Sequence, residues 1–248
     1  MWRAVSPDRE AVLALARARE KFDLYPLVIH DNYLINMASC DEALRLKSVL
    51  AFRGEIERAL AVGAEFLVAH PGSCKGHTVD AAIHTLAISI GEAARGLDTR
   101  GLTMLIENTA GSGNILGSTF EELAVMKEHA AGFTDLAIGF CIDTCHCLAA
   151  GYMVKEAIAG MGSVLGFDNV HVIHANDSKT PLGSHVDRHE NIGRGYIGIE
   201  GFRQVLNHSK LRTKAFIAET PVEEDDDDRR DVQTLISLCP KSRMTTKK

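Results

Sequence analysis

The chain has 248 residues, 46% of them apolar and 24% charged, with a formal net charge of -6. That length suits one α/β domain with a sizeable core, and the acidic balance argues against a generally basic nucleic-acid binder, though not against a local site built on bound divalent metal. No apolar run nears 18 residues and MWRAVSPDRE has no apolar h-region, so the expectation is a cytoplasmic protein without a membrane span or signal peptide. Six cysteines occur without a C-x-x-C pair and read as reduced thiols.

In chain order, Ser6, Pro7 and Asp8 make a good helix start. The first strand-like run, LYPLVIH, ends at His30. Asp41 opens a second helix that runs through Leu46, Val49 and Leu60 to Gly63. AEFLVAH ends at His70. Thr78 then caps a helix whose apolar stripe is Ile83, Leu86, Ile90 and Ala94, with Gly96 at its end. LTMLIEN carries Glu107, LAIGFCID ends at Asp143, NVHVIHAND carries His174, and KAFIAET carries Glu219. Each run is near-continuously apolar, as suits a parallel strand buried on both faces. The acidic run EEDDDD, Glu223 to Asp228, lacks the ligand spacing of an EF-hand and reads as a solvated loop leading into a helix.

Strands alternating with helices predict βα units and a parallel sheet. No linker interrupts them, so residues 1–248 read as a single barrel domain. Six metal-competent residues, His30, His70, Glu107, Asp143, His174 and Glu219, recur every 31–45 residues at the ends of these runs. Each has a bland reading alone: His70 at a turn, Glu107 as a helix cap, Asp143 holding a backbone amide. Together, at the same end of six successive strands, they converge on one face. A (β/α)8 barrel produces that convergence, and no G-x-G-x-x-G follows the first strand to favour a dinucleotide fold. His77, His84, His129, His171, His185 and His208 fall outside the pattern and read as surface or core histidines.

Imidazoles and carboxylates gathered this way suit zinc or a related first-row metal. In DTCH, residues i and i+3 face the same way as a helix begins, so His146 can join Asp187 and His189 of the loop GSHVDRHENIGRG. That makes a three-ligand set with an open position, and Gly183, Gly193 and Gly195 let the loop bend close to the site. Cys145 and Cys147 flank His146, but the nearby carboxylates are better candidates. A multinuclear zinc site with a bridging carboxylate suits phosphate-ester hydrolysis.

The motifs IHDNYLIN, HPGS, IENTAGSG, CIDTCHCLAAGY, HANDSK, GSHVDRHENIGRG and ETP, in this order from His30 to Pro221, closely resemble the endonuclease IV family of zinc-dependent apurinic/apyrimidinic (AP) endonucleases. The resemblance implies a DNA-repair enzyme with three zinc ions. His30, His70 and Glu107 would hold one. Glu107 would bridge to a second, also held by Asp143, His174 and Glu219. His146, Asp187 and His189 would hold the third. It further implies hydrolysis of double-stranded DNA 5′ to an abasic site by a metal-bound hydroxide, with Glu107 and Glu219 catalytic and Glu219 a candidate proton acceptor. Tyr33 matches a side chain pushed into the gap at the lesion, although it could instead pack on the barrel rim. Nothing indicates an oligomer. The family begins with a strand, a helix and a second strand ahead of the region matching Met1, so about six of eight strand units are expected and Trp2-Arg3 falls where the second strand should be ending. A misassigned start, a genuine truncation and a non-catalytic zinc-binding remnant are the competing explanations. A metal-dependent sugar isomerase or epimerase on the same barrel is the other enzyme class, and it would have no need of the third ligand set.

Overall fold

The computed structural model describes residues 5–240; Trp2 and Arg3 lie outside them. Three helix starts form where the sequence places them. The Asp8 carboxylate accepts the amide hydrogens of Glu10 and Ala11 to open α1 (Arg9–Phe22). Asp41 accepts from Leu44 to open α2 (Glu42–Val62), and Thr78 accepts from Ala81 to open α3 (Val79–Ala94). Such caps satisfy amides that the first turn leaves without intrahelical partners. Gly63 ends α2 in the left-handed region at φ 69°, a conformation that costs glycine little. α2 runs through the half-exposed Leu46 and buries Val49, Phe52, Ile56 and Ala59. These lie at i, i+3, i+7 and i+10, one face of a 3.6-residue repeat.

The remaining elements are β1 (Val28–His30), β2 (Phe66–Ala69), β3 (Thr103–Glu107), α4 (Phe120–Ala131), β4 (Ala137–Asp143), α5 (Thr144–Ala150), α6 (Val154–Gly160), β5 (Val170–His174), β6 (Asp177–Ser178), β7 (His189–Glu190), α7 (Gly198–Asn207), β8 (Ala215–Ile217) and α8 (Asp227–Leu238). Six strands pair in the order β1-β2-β3-β4-β5-β8, every neighbour parallel, while β6 and β7 form a separate antiparallel pair. This is the curved sheet of a TIM-type barrel with six strands among the described residues, and β1 and β8 are its open edges.

Alternation along the strands divides the core. Val68, Leu105, Cys141 and Val172 form an inner cluster, flanked by the part-buried Val28, Phe66, Ala215 and Ile217. Leu67, Met104, Ile106, Ile142 and Ile173 belong to a larger layer with the buried faces of α2, α3 and α4. Both faces are therefore apolar, which is why the strands read as unbroken hydrophobic runs. The edge strands β1 and β8 have no fully buried residue, unlike the central strands. Behind the last strand, Phe202 and Leu206 of α7 meet Leu235 and Leu238 of α8.

The acidic run does lead into a helix, but it is not uniformly solvated. Asp227 is buried, accepts the amides of Glu223 and Glu224, and pairs with Arg230. Its carboxylate organises the turn that the sequence suggests is merely wet. Among the described residues, no helix is long and apolar enough to cross a membrane.

Because Phe52 is fully buried between α2 and the sheet, Phe52→Ala is expected to cost about 3–5 kcal/mol in urea unfolding. A loss below about 1 kcal/mol would mean that α2 does not pack as described.

Candidate metal centre

Parallel register brings the strand ends to one rim. His30, Glu107, Asp143 and His174 are the final residues of β1, β3, β4 and β5; His70 follows β2 by one residue, and Glu219 follows β8 by two. Glu107 sits at the middle, fully buried. Its Oε2 lies 2.9 Å from His30 Nε2 and 3.7 Å from His70 Nε2. Its Oε1 lies 2.8 Å from His174 Nδ1 and 3.6 Å from His146 Nδ1. His174 Nδ1 also faces Glu219 Oε2 at 3.2 Å. One donor atom from each of Glu107, Asp143, His174 and Glu219 falls within 4.8 Å of the others, and His30, His70 and Glu107 form a second such group.

Asp143 acts in two directions. As the N-cap of α5, its Oδ1 accepts the His146 amide at 2.9 Å, which fixes the i, i+3 relation expected of DTCH. Its Oδ2 lies 3.5 Å from His189 Nε2. The loop brings Asp187 between the remaining imidazoles: Oδ2 is 3.1 Å from His146 Nε2, and Oδ1 is 3.3 Å from His189 Nε2.

Backbone carbonyls orient three of the rings. His30 Nδ1 donates to Asp31 O, His146 Nδ1 to Asn108 O, and His189 Nδ1 to Glu219 O, each at 2.9 Å. A proton held on Nδ1 leaves the Nε2 lone pair free for a cation. His189 Nε2 is buried and has no hydrogen-bond partner, although two carboxylates stand nearby. An unsatisfied buried nitrogen among carboxylates suits a bound cation, and a set of imidazoles and carboxylates fits zinc.

Without metal, the rim balances its charge with protons. Burial pushes His30 down, but the Glu107 hydrogen bond and charge outweigh it and raise the ring to about 9. Burial likewise opposes His146, yet Asp143, Asp187 and Glu107 raise it to about 10. Burial would lift the Glu107 carboxyl; His174, His30 and His70 hold it well below the usual carboxylate range. His70 is lowered by burial and by its cationic neighbours.

Several supporting residues lie within motifs that the sequence singles out, but their roles do not show there. Asn108 Oδ1 accepts the Asp143 amide at 2.7 Å, and its Nδ2 donates to the Asp143 carbonyl. Asn176 Nδ2 donates to Asp143 Oδ2 at 2.6 Å, while its Oδ1 accepts the Glu219 amide at 2.7 Å. A fully polar amide at the end of an apolar strand was the available signal. Cys145 lies near Asp187 and His189, but burial first, with Asp143, pushes its thiol up to about 12, so it stays a thiol. All six cysteines are free. His185 does not join the rim; its ring donates to Ala110 O. Tyr33 is 84% exposed, so it does not pack on the rim. It lines an open cavity of about 350 Å³ with His30, Glu107, His146, Asp187, His189 and Glu219. It also lines an adjoining one of about 290 Å³ with His70, Gly72 and Ile115.

Parallel βα units with chemistry on the C-terminal rim define a TIM-barrel enzyme class, and the xylose isomerase-like TIM barrel family model matches residues 2–238. Within it, a probable endonuclease 4 from Solibacter usitatus is 54% identical over 245 residues, covering 96% of this chain and 84% of that protein. Another from Aquifex aeolicus is 38% identical over 228 residues, 90% of this chain and 79% of its own. The crystal structure of endonuclease IV from Thermus thermophilus superposes with a TM-score of 0.82 at 33% identity, covering 96% of this chain and 84% of that one. The chain belongs to the endonuclease IV family. A D-tagatose 3-epimerase-like protein, at TM-score 0.70 and 22% identity over 93% of this chain and 83% of its own, shares the fold.

The raised imidazoles set a pH dependence for the metal-free protein. Both pKa values lie above the ordinary 6.5, so the stability they contribute is complete below about pH 6.5 and lost as pH rises through about 9 and 10. Urea midpoints of EDTA-stripped protein should therefore fall between pH 7 and pH 10; a flat profile would contradict this charge balance.

Proposed function

We propose that this chain is a zinc-dependent AP endonuclease that hydrolyses double-stranded DNA 5′ to an abasic site and leaves a 3′-hydroxyl. The observation that carries the reading is the meeting on one rim of the His30, His70, Glu107 group and the Glu107, Asp143, His174, Glu219 group, with Asp187 facing both His146 and His189 beside an open cavity. His30, His70 and Glu107 would hold one zinc. Glu107, Asp143, His174 and Glu219 would hold a second. His146, Asp187 and His189 would hold the third. Zinc so held supplies Lewis acidity towards phosphate oxygens and lowers the pKa of water.

The chain's own residues do the rest. Glu107 joins the first two sets through its two oxygens. Asn108 and Asn176 fix the backbone and carboxylate of Asp143, and Asn176 fixes the backbone of Glu219, so these groups cannot swing out of reach. Glu219 is the one member of the second set whose side chain reaches solvent, at 37% exposure, which suits Oε1 or Oε2 to accept a proton. Tyr33 stands clear of the rim, where it can fill the space left by a missing base. An abasic nucleotide has no base to unstack, so extruding it costs less than flipping an intact one.

A sugar isomerase or epimerase on this barrel would use one or two metals. The placement of Asp187 between His146 and His189 favours the nuclease reading, because such an enzyme has no use for that group.

Wild-type protein should carry three zincs per chain and nick a duplex holding one tetrahydrofuran abasic analogue on its 5′ side. Three bound zincs without nicking would defeat the proposal. His189→Ala should remove one zinc and lower kcat by about 10²-fold or more. Adding zinc to stripped protein at pH 8 should release protons from His30 and His146, read by an indicator in weak buffer. Tyr33→Ala should raise KM for the abasic duplex more than it lowers kcat; an unchanged KM would remove Tyr33 from lesion recognition.

A further inference from the structure

The glycines of GSHVDRHENIGRG read, in sequence, as hinges that bring the loop near the metals. In the structure, Gly193 and Gly195 instead wrap a buried carboxylate that no metal set includes. Asp177, fully buried, accepts five backbone amides. Its Oδ1 receives those of Ser178 at 2.8 Å and Ile197 at 2.9 Å. Its Oδ2 receives those of Gly193 at 2.9 Å, Gly195 at 3.0 Å and Gly198 at 3.2 Å. Gly198 begins α7, so the carboxylate also faces a helix N-terminus. A Cβ at Gly195 would overlap both the Ser178 carbonyl oxygen and Asp177 Oδ1, and Gly193 has φ 83°. Only glycines allow the chain to close this tightly.

The same segment carries the third donor set. Ser178 pairs with His189 across β6 and β7, and Lys179 donates its amide to Arg188 O at 2.9 Å. The Tyr196 amide returns to Ser178 O at 2.8 Å. From α8, Asp231 accepts the Ile192 amide and the Asn191 side chain. Residues 177–198 thus form a closed loop with Asp187 and His189 on its outer arm and Asp177 as its knot.

We propose that Asp177 is a positioning residue for the third zinc: by gathering the returning amides, its carboxylate seats the arm that holds Asp187 and His189. This rests on the zinc-dependent reading above. Asparagine cannot replace it, because an amide has one acceptor oxygen and would turn its own N–H groups towards donors.

The test uses the full chain with Asp177→Asn and, should that variant not fold, Gly195→Ala, which pushes the loop off the same carboxylate. Zinc is titrated against a chelator, nicking is assayed at limiting and excess zinc, and amide exchange is followed in stripped protein. The variant should bind one zinc about 10–100-fold more weakly and hold the other two as wild type does. Nicking lost at limiting zinc should return with excess zinc. Exchange should quicken at Gly193, Gly195 and Ile197 while the sheet amides stay protected. Unchanged affinity for all three zincs, or equal weakening of all three, would overturn the proposal, since the second outcome marks a general structural role. If wild type itself binds fewer than three zincs or fails to nick, the function proposed above fails. Amide exchange then decides only whether Asp177 seats the arm that carries Asp187 and His189: selective loosening of residues 189–198 supports that, and unchanged exchange ends it.

Discussion

The burial of the Glu107 carboxylate is the constraint on which the rim depends. A carboxylate taken out of water costs several kcal/mol unless positive charge and hydrogen bonds replace its hydration. Here that compensation comes from His30 and His174 in direct contact, with His70 and His146 just beyond. The arrangement works only if β1, β2, β3 and β5 end at the same level, so strand register and charge balance are one requirement. Protons can meet it, as the raised imidazoles show, and so can a cation that displaces them. The unpartnered Nε2 of His189 lies beside Asp143 and Asp187, where a cation would find a free lone pair.

Much of this was legible in the sequence because it is carried by local pattern. Caps at Asp8, Asp41 and Thr78, unbroken apolar runs and a polar donor at each strand end are all short-range features. What stayed hidden depends on partners distant along the chain. Asn108 reaches Asp143, Asn176 reaches Glu219, and Asp177 reaches Gly193 to Gly198. No periodicity announces such contacts. Asp227 shows the converse, since side-chain type suggested solvent and tertiary packing imposed burial.

The fold is shared with a D-tagatose 3-epimerase-like protein. In this chain the strand ends present His30, His70, Glu107, Asp143, His174 and Glu219, while α5 and the loop tied to Asp177 present His146, Asp187 and His189. Chemistry on such a fold is altered by what is attached to its rim, while the strands beneath stay the same.

The two-residue alternation of β3 has an evolutionary corollary. Leu105 and Glu107 share one face, and Met104 and Ile106 share the other. Removing a single codon from this strand would turn the carboxylate towards the helices and an aliphatic side chain towards the rim. β3 pairs with both neighbours in unbroken register, so it has nowhere to absorb such a change, whereas the ladder between β4 and β5 already absorbs a one-residue shift between Phe140 and Cys141.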